Sequence, residues 1–204
     1  MVYPVRNNIK STLKDMEYER SFSNRARVFL SIGSNLSDRA EKIQRAINLL
    51  NHNKIKVTRI SPIYQTEPTG LLSIFGIGLP VNKVQHDFLN CVVEAFTGDE
   101  PEQLIVKILK IENALGRKRI SHIRNLPRTI DIDILFYDNL IINLKTLSIP
   151  HPRLQERAFV LIPLCDLEPD FIHPALNRTI KELANLVDRK GVRPWGANLI
   201  MASV

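Results

Sequence analysis

The chain has 204 residues, a formal net charge of +7 and 44% hydrophobic residues. This composition excludes a disordered chain, and the length allows one domain with a substantial core or two small ones. The apolar runs are far shorter than the roughly 20 residues that span a bilayer. Cys91 and Cys165 lie in apolar runs without metal-ligand spacing. We therefore expect a soluble cytoplasmic protein with two reduced, buried thiols.

The N-terminal segment is basic and shows no regular pattern. Its first 27 residues hold six basic and three acidic side chains, without a sustained helical or strand period. Residues 1–26 are therefore predicted to form a flexible extension. A mitochondrial presequence is the alternative, but the acidic residues count against it. We expect one catalytic domain at residues 27–190 and a C-terminal tail or linker at 191–204.

Hydrophobic patterns predict the elements of this domain in chain order. Strands are expected at 27–32, 55–63, 88–96 and 129–137, and helices after Asp38, at 101–115 and at about 179–186. Residues 65–87 are rich in Gly and Pro and are predicted to form a long loop. The order β-α-β-β-α-β points to helices on one face of an antiparallel sheet. The fold class that we expect is α+β, a ferredoxin-like antiparallel sheet with helices packed on its faces.

Two carboxylates stand out in the strand at 129–137. Asp131 and Asp133 are two residues apart and should project from one face, while the apolar residues point to the other side: Ile130, Ile132, Ile134 and Phe136. The preceding segment 117–128 holds five basic residues and no acid: Arg117, Lys118, Arg119, Arg124 and Arg128. An isolated Asp-x-Asp motif usually indicates only the solvent-exposed face of a strand. Next to these cations, the pair favours a site for magnesium and a polyphosphate.

Weaker signals accompany the carboxylate pair. His151 lies between two prolines, which suits either a phosphate contact or a structural hydrogen bond. Phe88 and Phe159 are by default core residues, although two aromatic rings could also stack on a flat heterocycle. The triplet 33–35, Gly-Ser-Asn after a strand, is by default a strand-to-helix turn. No glycine-rich phosphate loop is present in the sequence.

Six segments together resemble a known family, 6-hydroxymethyl-7,8-dihydropterin pyrophosphokinase (HPPK). The resemblance covers about residues 27–188, and its most specific part is Pro-Arg-Thr-Ile-Asp-Ile-Asp at 127–133. The segments occur in family order at 32–36, 64–68, 88–90, 127–135, 149–153 and 156–161. The resemblance implies transfer of the diphosphate of ATP to the hydroxymethyl group of the pterin, with release of AMP, in folate biosynthesis.

The resemblance also implies roles for individual residues. It makes ATP the co-substrate and implies two magnesium ions held by Asp131 and Asp133. It adds three catalytic arginines: Arg117, Arg119 and Arg128. It places ATP at Glu112, Arg119, Arg128, Ile134, Ser148, His151 and Arg157. It places the pterin at Thr66, Thr69, Phe88, Asn90 and Phe159, with the two aromatic rings enclosing the heterocycle.

Three features depart from the family pattern. Arg124-Asn125-Leu126 replaces Arg-Trp-Gly, Thr146 replaces a common arginine, and the segment 70–87 is roughly ten residues longer than typical, which suggests an elaborated lid. Residues 197–204 resemble the first strand of dihydropteroate synthase, so a fused or downstream copy of that enzyme is a candidate partner.

Two other functions remain open from the residues alone. One is a basic nucleic-acid-binding module on a ferredoxin-like sheet, and the other is a magnesium-dependent nucleotidyltransferase that releases pyrophosphate. Only 6% of the residues are aromatic, which counts against the first. We expect neither a nucleic-acid nor a membrane partner.

Overall fold

The structure is a computed structural model that describes residues 25–68, 71–74, 77–80, 85–117 and 126–196. The predicted extension lies outside this range up to residue 24, as does the segment 197–204. The elements are β1 (Ala26–Ser34), α1 (Arg39–His52), β2 (Lys56–Ile60), β3 (Tyr64–Thr66), β4 (Leu71–Ile74), β5 (Ile77–Pro80), β6 (Phe88–Thr97), α2 (Pro101–Ala114), β7 (Asp131–Tyr137), β8 (Ile142–Asn143), β9 (Ser148–Ile149), α3 (Ala158–Leu167), α4 (Ile180–Ala184) and β10 (Val192–Pro194). Among these, no helix is long and apolar enough to cross a membrane.

The main sheet contains six antiparallel strands. Its order is β10-β3-β6-β1-β7, and β2 pairs with the part of β6 that β3 leaves free. The predicted strand at 55–63 ends earlier than expected, at Ile60, and a separate strand, β3, begins at Tyr64. Pro62 lies in the interruption, where its missing N–H cannot join a ladder, and the hydroxyl of Ser61 instead accepts the Val92 amide at 2.9 Å.

Two apolar cores cover the two faces of this sheet. Alternation along β1 sends Leu30 and Ile32 into the core beneath α1 and α2, and Phe29 into the core beneath α3 and α4. Both cores contain side chains with almost no exposed surface. The α+β antiparallel fold with helices on its faces is thus confirmed, with α1 and α2 sharing one face.

A change of register in β7 corrects one predicted orientation. Phe29 pairs with Phe136 but Leu30 pairs with Ile134, so Leu135 is an extra residue in the strand. Such a bulge reverses the alternation beyond it. The prediction that Phe136 shares a face with Ile134 is therefore wrong, because Phe136 packs in the core beneath α3 and α4.

The segment predicted as one loop at 65–87 also contains regular structure. β4 and β5 pair as an antiparallel two-stranded sheet within it. Farther along the chain, β10 pairs with β3, and the Trp195 amide donates to the Ile63 carbonyl at 2.8 Å. The main sheet thus continues past residue 190, where the catalytic domain was expected to end. Cys91 is buried as expected, whereas Cys165 is only half-buried.

An ion-pair network fastens the sheet to α3, away from the carboxylate pair. Glu94 on β6 accepts hydrogen bonds from Arg27 and Arg59 at 2.5 Å each, and both arginines also contact Glu168. Burial alone would raise the pKa of Glu94 and of Glu168, but the arginine hydrogen bonds outweigh it, so both values are lowered. The network therefore requires ionised carboxylates.

We expect Glu94→Gln to destabilise the protein by about 2 kcal/mol at neutral pH, because it removes a buried charge that two arginines share. A lowered carboxyl pKa stabilises the fold above its ordinary value of 4.5, and this contribution disappears as the pH falls through the folded-state value. In urea unfolding between pH 3 and 7, the free energy of unfolding should therefore fall less steeply with decreasing pH in the variant than in the wild-type protein. The exposed Glu41→Gln is the matched control, and equal losses in both variants would contradict the network.

Candidate active site

One cavity of about 310 Å³ opens at the ends of three neighbouring strands. On the face that carries α3 and α4, β1 contributes Ser31 and Gly33, β6 contributes Asn90, and β7 contributes Asp131 and Asp133. These positions are two residues apart within β1 and β7, so the pleat directs their side chains to one side. The polar side chains of the cavity therefore share one face because side chains alternate along each strand, and the bulge in β7 comes only after Asp133.

Asp131 is held by two arginines. Arg117, at the end of α2, and Arg128 each donate a hydrogen bond to its carboxylate. Arg117 also donates to Glu112, which is buried and accepts the Ile132 amide at 2.8 Å. Burial lowers the pKa of Arg117, but the charges of Asp131 and Glu112 outweigh it and raise the pKa overall. This guanidinium therefore stays charged between two carboxylates.

Asp133 lies in a less compensated environment. Its Oδ2 accepts a hydrogen bond from Arg157 at 3.2 Å and lies 3.9 Å from Nε2 of His151. Burial and then the charge of Asp131 raise the pKa of Asp133, against the opposing effect of the nearby cations. Burial likewise lowers the pKa of His151. Burial and repulsion from Asp131 thus both disfavour the ionised form of Asp133.

The other end of the cavity combines amide, hydroxyl and aromatic groups. Nδ2 of Asn90 donates to the Thr66 hydroxyl at 2.7 Å, and both residues are buried. Phe88 and Phe159 line the same cavity, and the guanidinium carbon of Arg157 lies 5.6 Å from the centre of the Phe159 ring. Since Arg157 also contacts Asp133, this residue connects the aromatic end with the carboxylate end.

Other predicted site residues lie farther from the cavity or outside the described chain. Ile134 packs in the core beneath α1 and α2, on the face opposite the carboxylates, and Ser148 pairs with Asn143 in the small sheet of β8 and β9. Arg119 and Thr69 lie outside the described residues. Their predicted contacts with the substrates stay predictions.

Seven residues line the cavity without having been predicted at the site: Ser31, Gly33, Glu67, Pro68, Gln85, Leu126 and Arg153. Four of them lie in segments that carry the family resemblance, at 32–36, 64–68 and 149–153: Gly33, Glu67, Pro68 and Arg153. Ser31 is two residues before Gly33 on the same strand. Gln85 and Glu67 reach the cavity from the ends of the segment that contains β4 and β5. Their positions at the cavity depend on the fold of the whole chain, which a local sequence pattern does not specify.

The family model for 7,8-dihydro-6-hydroxymethylpterin-pyrophosphokinase (HPPK) matches residues 29–169. The chain belongs to this family, and the resemblance carried by the six segments is confirmed.

Relatives differ in how much of their length this chain covers. The folic acid synthesis protein fol1 of Pneumocystis carinii is 38% identical over 176 residues, which is 86% of this chain and 22% of that protein. The 2-amino-4-hydroxy-6-hydroxymethyldihydropteridine pyrophosphokinase of Aquifex aeolicus is 38% identical over 157 residues, 77% of this chain and 89% of the relative. The chain thus spans about a fifth of the first relative and most of the second.

A solved structure shares the fold. The HPPK-DHPS of Plasmodium falciparum superposes with a TM-score of 0.61 at 20% identity, over 81% of this chain and 46% of that chain. At this identity, the similarity supports the architecture alone.

Proposed function

We propose that this protein transfers the terminal diphosphate of ATP to the hydroxymethyl group of 6-hydroxymethyl-7,8-dihydropterin and releases AMP, a step of folate biosynthesis. The observation that carries the proposal is a single cavity that joins a carboxylate pair and arginines to an amide- and aromatic-lined end. Membership of the HPPK family supports the same reaction. A nucleic-acid-binding sheet is disfavoured because this face presents Asp131 and Asp133, which repel phosphate unless a metal ion is bound between them, and because only 6% of the residues are aromatic.

The arginines are the groups that would meet the triphosphate. Arg128 and Arg157 line the cavity and contact Asp131 and Asp133, so incoming phosphate oxygens would compete for guanidinium groups that are already in place. The hydroxymethyl oxygen attacks the β-phosphorus, the bond from this phosphorus to the α,β-bridging oxygen breaks, and AMP leaves with that oxygen. The hydroxyl proton passes to solvent. Positioning and charge neutralisation supply most of the rate in such transfers.

The carboxylate pair fits magnesium. Asp131 and Asp133 offer hard oxygen ligands on one face. Burial and then the charge of Asp131 raise the pKa of Asp133, and a bound cation would oppose both effects. No third His, Cys, Asp or Glu completes a metal-binding group among the described residues, so phosphate oxygens and water would supply the other ligands. When bound, two ions would neutralise the charge of the transferred diphosphate.

The pterin fits the opposite end of the cavity. Asn90 is buried and its amide is oriented by Thr66, so it can read the hydrogen-bonding edge of a flat heterocycle. Phe88 and Phe159 can cover the two faces of the ring. Arg157 lies between this end and Asp133, so a hydroxymethyl group at that position would point toward the β-phosphorus.

We also propose that the protein is located in the cytoplasm and that its partner is a fused or downstream dihydropteroate synthase. The latter is supported by the name HPPK-DHPS of the Plasmodium falciparum protein, which shares the fold.

The reaction is tested by incubating the purified chain with ATP, Mg²⁺ and the hydroxymethyl dihydropterin, and by separating nucleotides chromatographically. We expect one AMP for each pterin consumed, and no AMP when the pterin is omitted. Formation of ADP in place of AMP would contradict the proposal.

A further inference from the structure

Asn35 lies in the turn that ends β1, and its side chain is almost fully buried. Its backbone amide donates to the Arg128 carbonyl at 3.2 Å, and its Oδ1 accepts the Arg128 amide at 2.8 Å. These two hydrogen bonds hold the backbone of Arg128 from both sides. Next to them, the Ser34 hydroxyl donates to the Thr129 carbonyl at 2.7 Å. The turn thus fixes the segment from which the Arg128 guanidinium reaches the cavity.

The same Asn35 side chain reaches a second part of the chain. Its Nδ2 donates to Oε1 of Gln85 at 2.9 Å and lies 3.5 Å from the His86 carbonyl. Residues 85–87, here called the return segment, lead directly into Phe88 at the start of β6. The side-chain amide of Asn35 therefore accepts a hydrogen bond from Arg128 and donates one to the return segment.

The return segment borders two cavities. Gln85 lines both the 310 Å³ cavity and a second cavity of about 560 Å³, which His86 and Asp87 also line. Asp87 is anchored separately, since its carbonyl accepts from Arg39 at 2.6 Å and its carboxylate accepts from Gln65 at 2.7 Å. The segment is thus held by Asn35 at Gln85 and at the His86 carbonyl, and by other residues at Asp87.

We propose that Asn35 is a positioning residue that couples the return segment, next to the pterin end, to Arg128 at the phosphate end. The inference rests on the proposed function, because it takes Arg128 as a ligand of the nucleotide phosphates. Asn35 contacts only the backbone of Arg128 in these hydrogen bonds. It therefore acts by fixing the backbone position from which the Arg128 side chain extends into the cavity. A change at Gln85 should therefore reach nucleotide binding through Asn35.

Titration calorimetry with Mg²⁺ and α,β-methylene-ATP, without pterin, tests this coupling. Gln85→Leu should raise the Kd for the analogue roughly fivefold, the effect of losing about one neutral hydrogen bond. Gln65→Leu is the matched control, since it loosens the return segment at Asp87 without touching Asn35, and it should leave the Kd unchanged. In an Asn35→Ala background, Gln85→Leu should add nothing, because the connection is already absent.

Amide hydrogen exchange of Arg128 gives a second readout that requires no nucleotide. It should become faster in Gln85→Leu and not in Gln65→Leu. Wild-type Kd and exchange in Gln85→Leu, or equal effects of the two substitutions, would overturn the coupling. If the wild-type protein binds no nucleotide analogue, the proposed function fails instead, and the Arg128 exchange rates still decide whether Asn35 connects the two segments.

Discussion

Asp133→Asn is expected to lower kcat roughly 1,000-fold while the fold stays intact, because the substitution removes a metal-binding carboxylate but keeps its size. Burial and the charge of Asp131 raise the pKa of Asp133, so its negative charge is unfavourable within the protein. Neutralising it should leave the melting temperature equal or slightly higher. Steady-state AMP formation and thermal unfolding measure the two effects on the same preparations.

Asp170→Asn is the matched control for this substitution, since Asp170 is exposed on the turn after α3. It should leave both kcat and the melting temperature at wild-type values. A wild-type rate in Asp133→Asn would refute the metal-binding role. A large loss of stability in Asp133→Asn would instead mean that this carboxylate is structural.

Gly33→Ala should lower kcat/KM for the pterin roughly 100-fold, the effect expected from a displacement of about 1 Å in the site. A Cβ at this position would lie 2.4 Å from Oδ1 of Asn90, closer than any ordinary contact. Asn90 cannot yield easily, because its amide is buried and bonded to Thr66. Pterin saturation curves at fixed ATP measure the change.

Gly98→Ala is the control for this prediction, because a Cβ there meets nothing within 4 Å. It should leave both substrates unaffected. The Kd of Gly33→Ala for α,β-methylene-ATP should stay within about twofold of wild type, since the added methyl group points at the amide and the phosphate-binding arginines bind by charge. Unchanged pterin kinetics in Gly33→Ala would show that Asn90 does not contact the pterin.

The carboxylate pair was predictable because its signal is local. A strand alternates with a period of two, so Asp131 and Asp133 had to share a face wherever β7 lay in the fold. The same rule failed three residues later at Phe136. The bulge at Leu135 arises from pairing with β1, and pairing is a property of two strands that are about 100 residues apart in sequence.

Close approaches between distant segments were beyond local patterns for the same reason. Gly33 reads as a turn residue in the sequence, yet it leaves space for the amide of Asn90 from the neighbouring strand. Asn35 reads as part of the same turn, yet it connects Arg128 with Gln85. The family resemblance included the segment 32–36 but gave no site role to Gly33, Asn35 or Gln85, and the fold supplied the contacts that relate them to the site.

The proposed reaction is defined by attack at the β-phosphorus of ATP, and ³¹P NMR of the complete reaction measures directly which phosphorus is attacked. Attack at the β-phosphorus gives one AMP resonance together with two coupled resonances of a pterin diphosphate ester. We predict these signals in equal amounts and dependent on both Mg²⁺ and Asp133. ADP with a pterin monophosphate, or free pyrophosphate with a nucleotidylated pterin, would contradict the account.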